Sequence, residues 1–228
     1  MAIARTPEEE QAVKDQLISI CAKIFFRDGY SKVTMKSLSE EAGCTTGKFY
    51  SNFSGKPEIL QILLGKLTRV NYDEASKLMD ADDTAFMQLV YFFVLQYEVC
   101  HVNEKLCELF YYAYEDSDAI RSTAEQMKTE LGRVLSASYN MKDSDEVLMS
   151  KSAMNFNILR SIISGEMLGY TFGDEKTQLA TLLDTIMASC GVSGKNAEKV
   201  RNRVEEKYPL FREATFNMII RILQTNLS

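Results

Sequence analysis

Residues 40–56 read EEAGCTTGKFYSNFSGK, and how this stretch folds decides how the rest of the chain is read. Gly43 follows a run with apolar residues at Met35, Leu38 and Ala42, the spacing of a short helix. A left-handed residue there stops that helix. Thr45 then stands where an N-cap is wanted, so a third helix begins two residues later. Helix, tight glycine turn, helix is the helix-turn-helix pattern. On a helical wheel Phe49 and Phe53 share one face and point to a small core. Thr46, Gly47, Tyr50 and Ser51 point the other way, flanked by Lys48 and Asn52. After Glu41 the stretch holds no carboxylate.

The elements around it announce themselves. Thr6, Pro7 and Glu9 form a capping box with proline at the first helical position. Val13, Leu17, Ile20 and Ile24 keep helical spacing up to Gly29. Thr34 caps a second helix. Residues 54–57, SGKP, open a fourth, which runs to about residue 79. Further helices are expected over 84–100, 104–114, 119–139, 147–170 and 176–190. A last helical segment over 195–227 is expected to be split by Pro209. The chain therefore reads as all-α. An N-terminal helix-turn-helix domain spans 1–56, a larger helical domain spans 57–228, and 193–228 forms a C-terminal extension.

Composition sets the classes to weigh. The 228 residues carry a formal net charge of -6 and are 46% hydrophobic. Residues 1–56 are net +1 while the remainder is net −7, so a locally basic segment leads an acidic body. Such a segment suits a polyanion. The longest uninterrupted apolar run, 89–95, is too short for a bilayer, and the opening residues lack a signal-peptide core. Five cysteines without a CxxC point to a reducing cytoplasm rather than a disulfide framework. With one histidine and no GxSxG, GxGxxG or Walker motif, no enzyme chemistry is indicated. An all-helical interaction module without DNA binding stands as the alternative reading.

The outer face of the third helix offers hydroxyls, an amide, an ammonium and one bare backbone position. Phosphates take Thr, Ser, Tyr and Lys, and base edges take Asn and Lys. Gly47 lets a backbone approach closely. Lys36 before it and Lys56 after it are placed to clamp a DNA backbone. The whole stretch 34–60, TMKSLSEEAGCTTGKFYSNFSGKPEIL, resembles the DNA-binding region of the TetR (tetracycline repressor) family of bacterial regulators. Thr34, the Ala42-Gly43 turn, Gly47, the Phe49-Tyr50 pair, Phe53, Lys56 and Glu58 carry the resemblance, which covers about residues 10–65. Cys44, Asn52 and Pro57 depart from the family's usual valine, aromatic or histidine, and acid; these departures bear on operator sequence. The chain also runs some 35 residues past the family's usual last helix.

The resemblance implies that Lys36, Thr46, Gly47, Lys48, Tyr50, Ser51 and Asn52 approach DNA, and that Thr34, Thr45 and Lys56 contact phosphate. It implies a homodimer on a palindromic double-stranded operator, with repression relieved by a small-molecule inducer. Aromatic residues of the middle helices suit an apolar or aromatic ligand: Phe86, Phe93, Tyr97, Phe110, Tyr111, Tyr114 and Phe156, with Met127. The two-faced helix 147–170 and its successor are the expected dimer contact, through Leu148, Leu159, Ile162, Leu179, Leu183 and Ile186. No cofactor, metal or membrane is expected. Cys100, His101 and Cys107 form no metal site on one continuous helix, where Cys100 and Cys107 stand about 10 Å apart along the axis. Only a helix break near Asn103 changes that.

Overall fold

A computed structural model describes residues 6–170 and 173–224 as ten helices, with no strand among the described residues. The expected end of the last helix at residues 225–227 lies outside them. Helix α1 (Pro7–Asp28) starts on Thr6, whose side chain accepts from the Glu9 N–H while the Glu9 carboxylate accepts from Thr6 N at 2.9 Å. It stops at Gly29, whose φ of 89° is open to glycine. Helix α2 (Met35–Glu41) starts on Thr34, which exchanges hydrogen bonds with Ser37. Helix α3 (Thr46–Tyr50) starts on Thr45, whose Oγ1 accepts from Lys48 N at 3.2 Å. Helix α4 (Lys56–Lys77) has Pro57 in its first turn. Phe25, Leu38, Phe49, Phe53 and Ile59 are buried and close the small N-terminal core.

The body is built around helix α5 (Ala85–Val102). It is long and apolar enough to cross a membrane, but most of it is buried beneath α4 and the helices that follow it. That is the pattern of a central core helix. Asn103 breaks the chain at φ −151° and caps helix α6 (Glu104–Glu115) by accepting from Leu106 N at 2.9 Å. Helix α7 (Ser117–Tyr139) starts on Asp116 and ends at left-handed Asn140. Helices α8 (Asp145–Leu168) and α9 (Glu175–Cys190) start on Ser144 and Asp174. Helix α8 is packed by α5, α6, α7 and α9.

Pro209 does not split the last segment. Helix α10 is continuous from Gly194 to Gln224 with Pro209 inside it. Proline removes one N–H from the ladder and crowds the preceding turn. Ala197, Val200, Val204, Phe211, Thr215 and Met218 are nevertheless all buried along one helical stripe that runs through the proline. Both halves face the same core, and packing against α5 carries the helix across. Phe211 lies edge-on to Tyr91, with centroids 5.1 Å apart.

Charge as well as apolar contact fastens α10. Asp83, at the start of α5, has no exposed side-chain surface. It accepts from Arg203 at 2.8 Å, Tyr91 at 3.0 Å and Lys207 at 3.3 Å. Burial raises the Asp83 pKa, but the Asp80 N–H, Arg203, Tyr91 and Lys207 together outweigh burial and hold the carboxyl below its ordinary 3.8. Further along, buried Glu98 accepts from Tyr208 at 2.5 Å and Arg212 at 3.2 Å. A carboxyl with a depressed folded pKa stabilises the fold above the unfolded value and loses that contribution as pH falls through the folded one. Asp83→Asn therefore destabilises the protein at neutral pH, and its stability difference from wild type shrinks as pH drops below 3.8. Urea unfolding at a series of pH values checks this; a difference that stays constant to about pH 2 contradicts it.

Candidate nucleic-acid interface

Helix α3 has five residues, too few to hold itself together in water. Two kinds of contact fix it. Phe49 and Phe53 are buried with centroids 5.3 Å apart, anchoring its inner face. Ser51 Oγ and Asn52 Nδ2 donate to Lys48 O at 2.7 and 2.8 Å, closing its carboxyl end. Thr46 Oγ1 lies 3.1 Å from Ser39 Oγ on α2, which ties the two helices of the motif. The outer face stays in solvent: Thr45, Thr46, Gly47, Lys48, Tyr50 and Ser51 are exposed, and Tyr50 is 52% exposed. Asn52 is half-buried beside them. A Cβ added to Gly47 meets nothing within 4 Å, so the fold itself does not require glycine there. An open groove of about 470 Å³ runs from Lys48, Ser51 and Asn52 to Pro7, Glu10, Gln11 and Lys14 at the start of α1.

The flanking residues divide. Lys36 is 79% exposed at its side chain, with only a loose 3.9 Å approach to Glu40. Thr45 spends an acceptor lone pair on capping a helix and keeps its proton to donate, whereas the Thr34 hydroxyl accepts from Ser37 N and donates to Ser37 Oγ at 3.2 Å. Lys56 behaves otherwise. Its ammonium donates to Tyr30 O at 2.7 Å and Val33 O at 2.6 Å and sits 4.2 Å over the Tyr30 ring. Burial lowers its pKa, and Glu108 nearby raises it. Two of its three N–H groups are engaged inward, which fixes the α1–α2 turn to α4 and leaves one N–H over. Cys44 is half-buried and packs against the core as filler.

Helix α6 grips the same turn from the body. Glu108 Oε1 accepts from Ser31 N at 3.1 Å, and a Cβ on Gly29 would collide with Glu108 Oε2. The rings of Tyr30 and Tyr112 are 5.0 Å apart. Sequence reading missed Glu108, Tyr112 and Ser39, because each acts through a partner remote in the chain or on another helix.

The aromatic residues expected around a ligand separate into groups. Phe93, Phe110, Tyr114 and Phe156 come together: Phe93–Phe156 centroids are 5.3 Å apart, Tyr114–Phe156 6.2 Å and Phe110–Tyr114 5.8 Å. Met127 lines an adjoining seam with Leu89, Phe93 and Leu131 that has no room for a water molecule. Phe86 packs instead on Tyr139, Tyr97 stacks on His101 and donates to Glu175 O at 2.8 Å, and half-buried Tyr111 meets Tyr112. These side chains form a packed core rather than the lining of an open pocket. Beside the cluster, Tyr114 donates to Gln96 Oε1, while Gln96 Nε2 is buried with no partner. Burial pushes the Tyr114 phenol far up, so it keeps its proton and remains the donor.

The expected dimer residues are placed inside the protomer. Leu148, Leu159, Ile162, Leu183 and Ile186 are buried and Leu179 is half-buried. Both apolar sides of α8 are covered by the chain's own helices, and of the expected residues Ile162 also borders the groove between α8 and α9. Left uncovered on α8 are Val147, Met154, Ser161 and Leu168 at seven-residue intervals, Met154 and Leu168 being 52% and 58% exposed. Ile158 and Ser161 share a groove of about 120 Å³ with Thr181 and Gln178 of α9. The break at Asn103 also overturns the one-helix separation of Cys100 and Cys107: the Cys107 thiol, ahead of burial, raises the Cys100 pKa. Among the described residues no three His, Cys, Asp or Glu side chains gather as a metal site.

Residues 17–62 match the family model of the bacterial regulatory proteins, tetR family, which covers α2, α3 and parts of α1 and α4. Two curated proteins of Pseudomonas putida are 31% identical over 81 residues: the HTH-type transcriptional regulator TtgR and the probable HTH-type transcriptional regulator ArpR. Each alignment covers 36% of this chain and 38% of the relative, so the chain spans less than two fifths of the length of these relatives. No solved structure matches the chain. The helix-turn-helix geometry and the matched segment agree: residues 17–62 carry the DNA-binding region of the bacterial regulatory proteins, tetR family.

Proposed function

We propose that this protein is a cytoplasmic, ligand-responsive transcriptional regulator, a repressor that binds a palindromic operator as a homodimer and releases it on binding a small apolar or aromatic molecule. The observation that carries the reading is the outer face of α3. It is exposed, acid-free and rich in hydroxyls, and it is held rigidly from behind. A short helix of this kind enters a major groove with Thr46, Gly47, Lys48 and Tyr50 toward the duplex. Ser51 and Asn52 stand at its rim. Thr34, Thr45 and Lys36 reach phosphates on either side, and Lys56 has one remaining N–H to add.

One such helix reads too few base pairs, and a two-fold pair reading half-sites about 34 Å apart solves this. The exposed stripe of α8, with the adjoining face of α9, is the surface for that pairing. Its seven-residue spacing of Val147, Met154, Ser161 and Leu168 suits helix against helix. The division at residue 56 is functional rather than a break in the chain, because α4 starts there and runs on into the body. The C-terminal extension acts as a strap across α5 through Arg203, Lys207, Phe211 and Arg212. Aromatic residues at Phe93, Phe110, Tyr114 and Phe156 offer the ligand its apolar surroundings.

Selection from a random duplex pool with purified protein is expected to enrich a palindrome with two half-sites. Enrichment of nothing favours the all-helical interaction module instead. Met154→Asp is expected to give a folded monomer by analytical ultracentrifugation, with operator affinity reduced at least roughly tenfold; an unchanged dimer removes the α8 face from the interface. Gly47→Ala is expected to leave the melting temperature unchanged, since the new methyl meets nothing within 4 Å, while weakening operator binding about tenfold, the scale of one lost recognition contact. Fluorescence anisotropy with the selected duplex measures it, and full affinity in this variant argues against α3 as the reading element.

A further inference from the structure

Gln96 stands in the middle of α5 with no exposed surface. Its Oε1 accepts from Tyr114, and its Nε2 has no partner. A buried amide N–H left unpaired costs free energy and calls for a partner such as a water, an ion or a ligand. What surrounds this N–H is specific. Phe92 and Phe93 precede Gln96 by one helical turn, and both rings touch Phe156 at 6.3 and 5.3 Å. Phe156 in turn lies 6.2 Å from Tyr114, the residue that fixes the amide. Four aromatic rings and one free donor thus form a continuous chain of contacts across α5, α6 and α8.

Other buried amides in the body do not share this arrangement. Asn155 Nδ2 donates to Cys190 Sγ at 3.6 Å and its Oδ1 accepts from Ser189 at 2.6 Å. Gln178 spends its Nε2 on Glu166 and Gly173 O. Asn71 has neither amide atom partnered and lies on α4, outside the α5–α6–α8 ring contacts.

We infer that Gln96 is the specificity-determining residue of the ligand site, and that the ligand is a flat aromatic molecule carrying a hydrogen-bond acceptor such as a ketone oxygen. The inference rests on the ligand-responsive reading above. The ring packs among Phe93, Phe156 and Tyr114, and the acceptor takes the free N–H of Gln96. A hydrocarbon of the same shape gains the ring contacts but leaves the amide unpaired. Because the rings are closed on one another, binding displaces at least one of them, and Tyr114, on the short helix α6, is the one whose movement also reorients the amide.

Acetophenone and α-methylstyrene have the same shape and differ in the acceptor, so they are the probes. Isothermal titration calorimetry of the full-length protein is expected to show acetophenone binding about tenfold tighter, the scale of one buried hydrogen bond. The double variant Gln96→Met/Tyr114→Phe removes both polar partners together, a change that is near neutral for folding. It is expected to keep a wild-type melting temperature and to bind the two probes equally, the preference for the ketone being lost. Equal binding of the two probes by wild type overturns the role of Gln96 while leaving the ligand-responsive reading intact. A preference that survives in the double variant does the same. Binding of neither probe by wild type overturns the aromatic ligand site itself, and with it this inference; the palindrome selection is untouched by that outcome and stands or falls separately.

Discussion

A five-residue helix depends entirely on what lies behind it, and here that is the buried pair Phe49 and Phe53. Their burial decides which residues α3 shows to solvent. Turning the helix by one position would bring Tyr50 inward and send Phe49 out. The hydroxyls of Thr34 and Thr45 set where α2 and α3 begin, so the motif is fixed at its starts by caps and along its inner face by rings. Arg27 adds a bracket by pairing with both Asp28 and Glu41, which holds the end of α1 against the end of α2. Being exposed, that bracket orients more than it stabilises.

The body solves a different problem. Its central helix α5 is buried on nearly every side and has to be covered all round. Helices α4, α6, α7 and α8 cover most of it, and α10 lies across what is left. That last surface contains carboxylates as well as apolar side chains, so α10 brings Arg203, Lys207 and Arg212 along with Phe211. Breaking one partner of such a buried network leaves the other charge unpaired, which costs more than the pair contributes when intact. The extension is thereby part of the core and not an appendage to it.

What was legible in the sequence follows from this division. Caps, glycine stops and the Phe49/Phe53 face are local signals, and the helices stand within a few residues of where Thr6, Thr34, Thr45, Gly29 and Pro57 put them. Features that depend on distant partners were not legible. Lys56 reads as a surface cation until the Tyr30 and Val33 carbonyls are brought to it from 26 and 23 residues away. Pro209 reads as a break until the buried stripe on either side is seen to face one helix. The apolar faces of α8 read as an interface because periodicity reports that a face is covered, not by what. Gln96 gave no signal, since one amide inside an apolar run looks like an interruption of the core.

The two halves of the molecule meet in α6. This helix of 12 residues carries Phe110 and Tyr114 on one side and Glu108 and Tyr112 on the opposite side. The first pair lies in the aromatic cluster of the body. The second pair holds the α1–α2 turn, through Ser31 N and the ring of Tyr30. A helix this short is stiff, so a displacement on one side is a displacement on the other. The turn it holds leads directly into Thr34, the cap of α2, and is tied by Lys56 to the first residue of α4. Gly29 allows the grip to be close, since any side chain there would collide with the Glu108 carboxylate. The setting of the recognition helix and the packing around Tyr114 are therefore not independent variables: the same rigid segment fixes both.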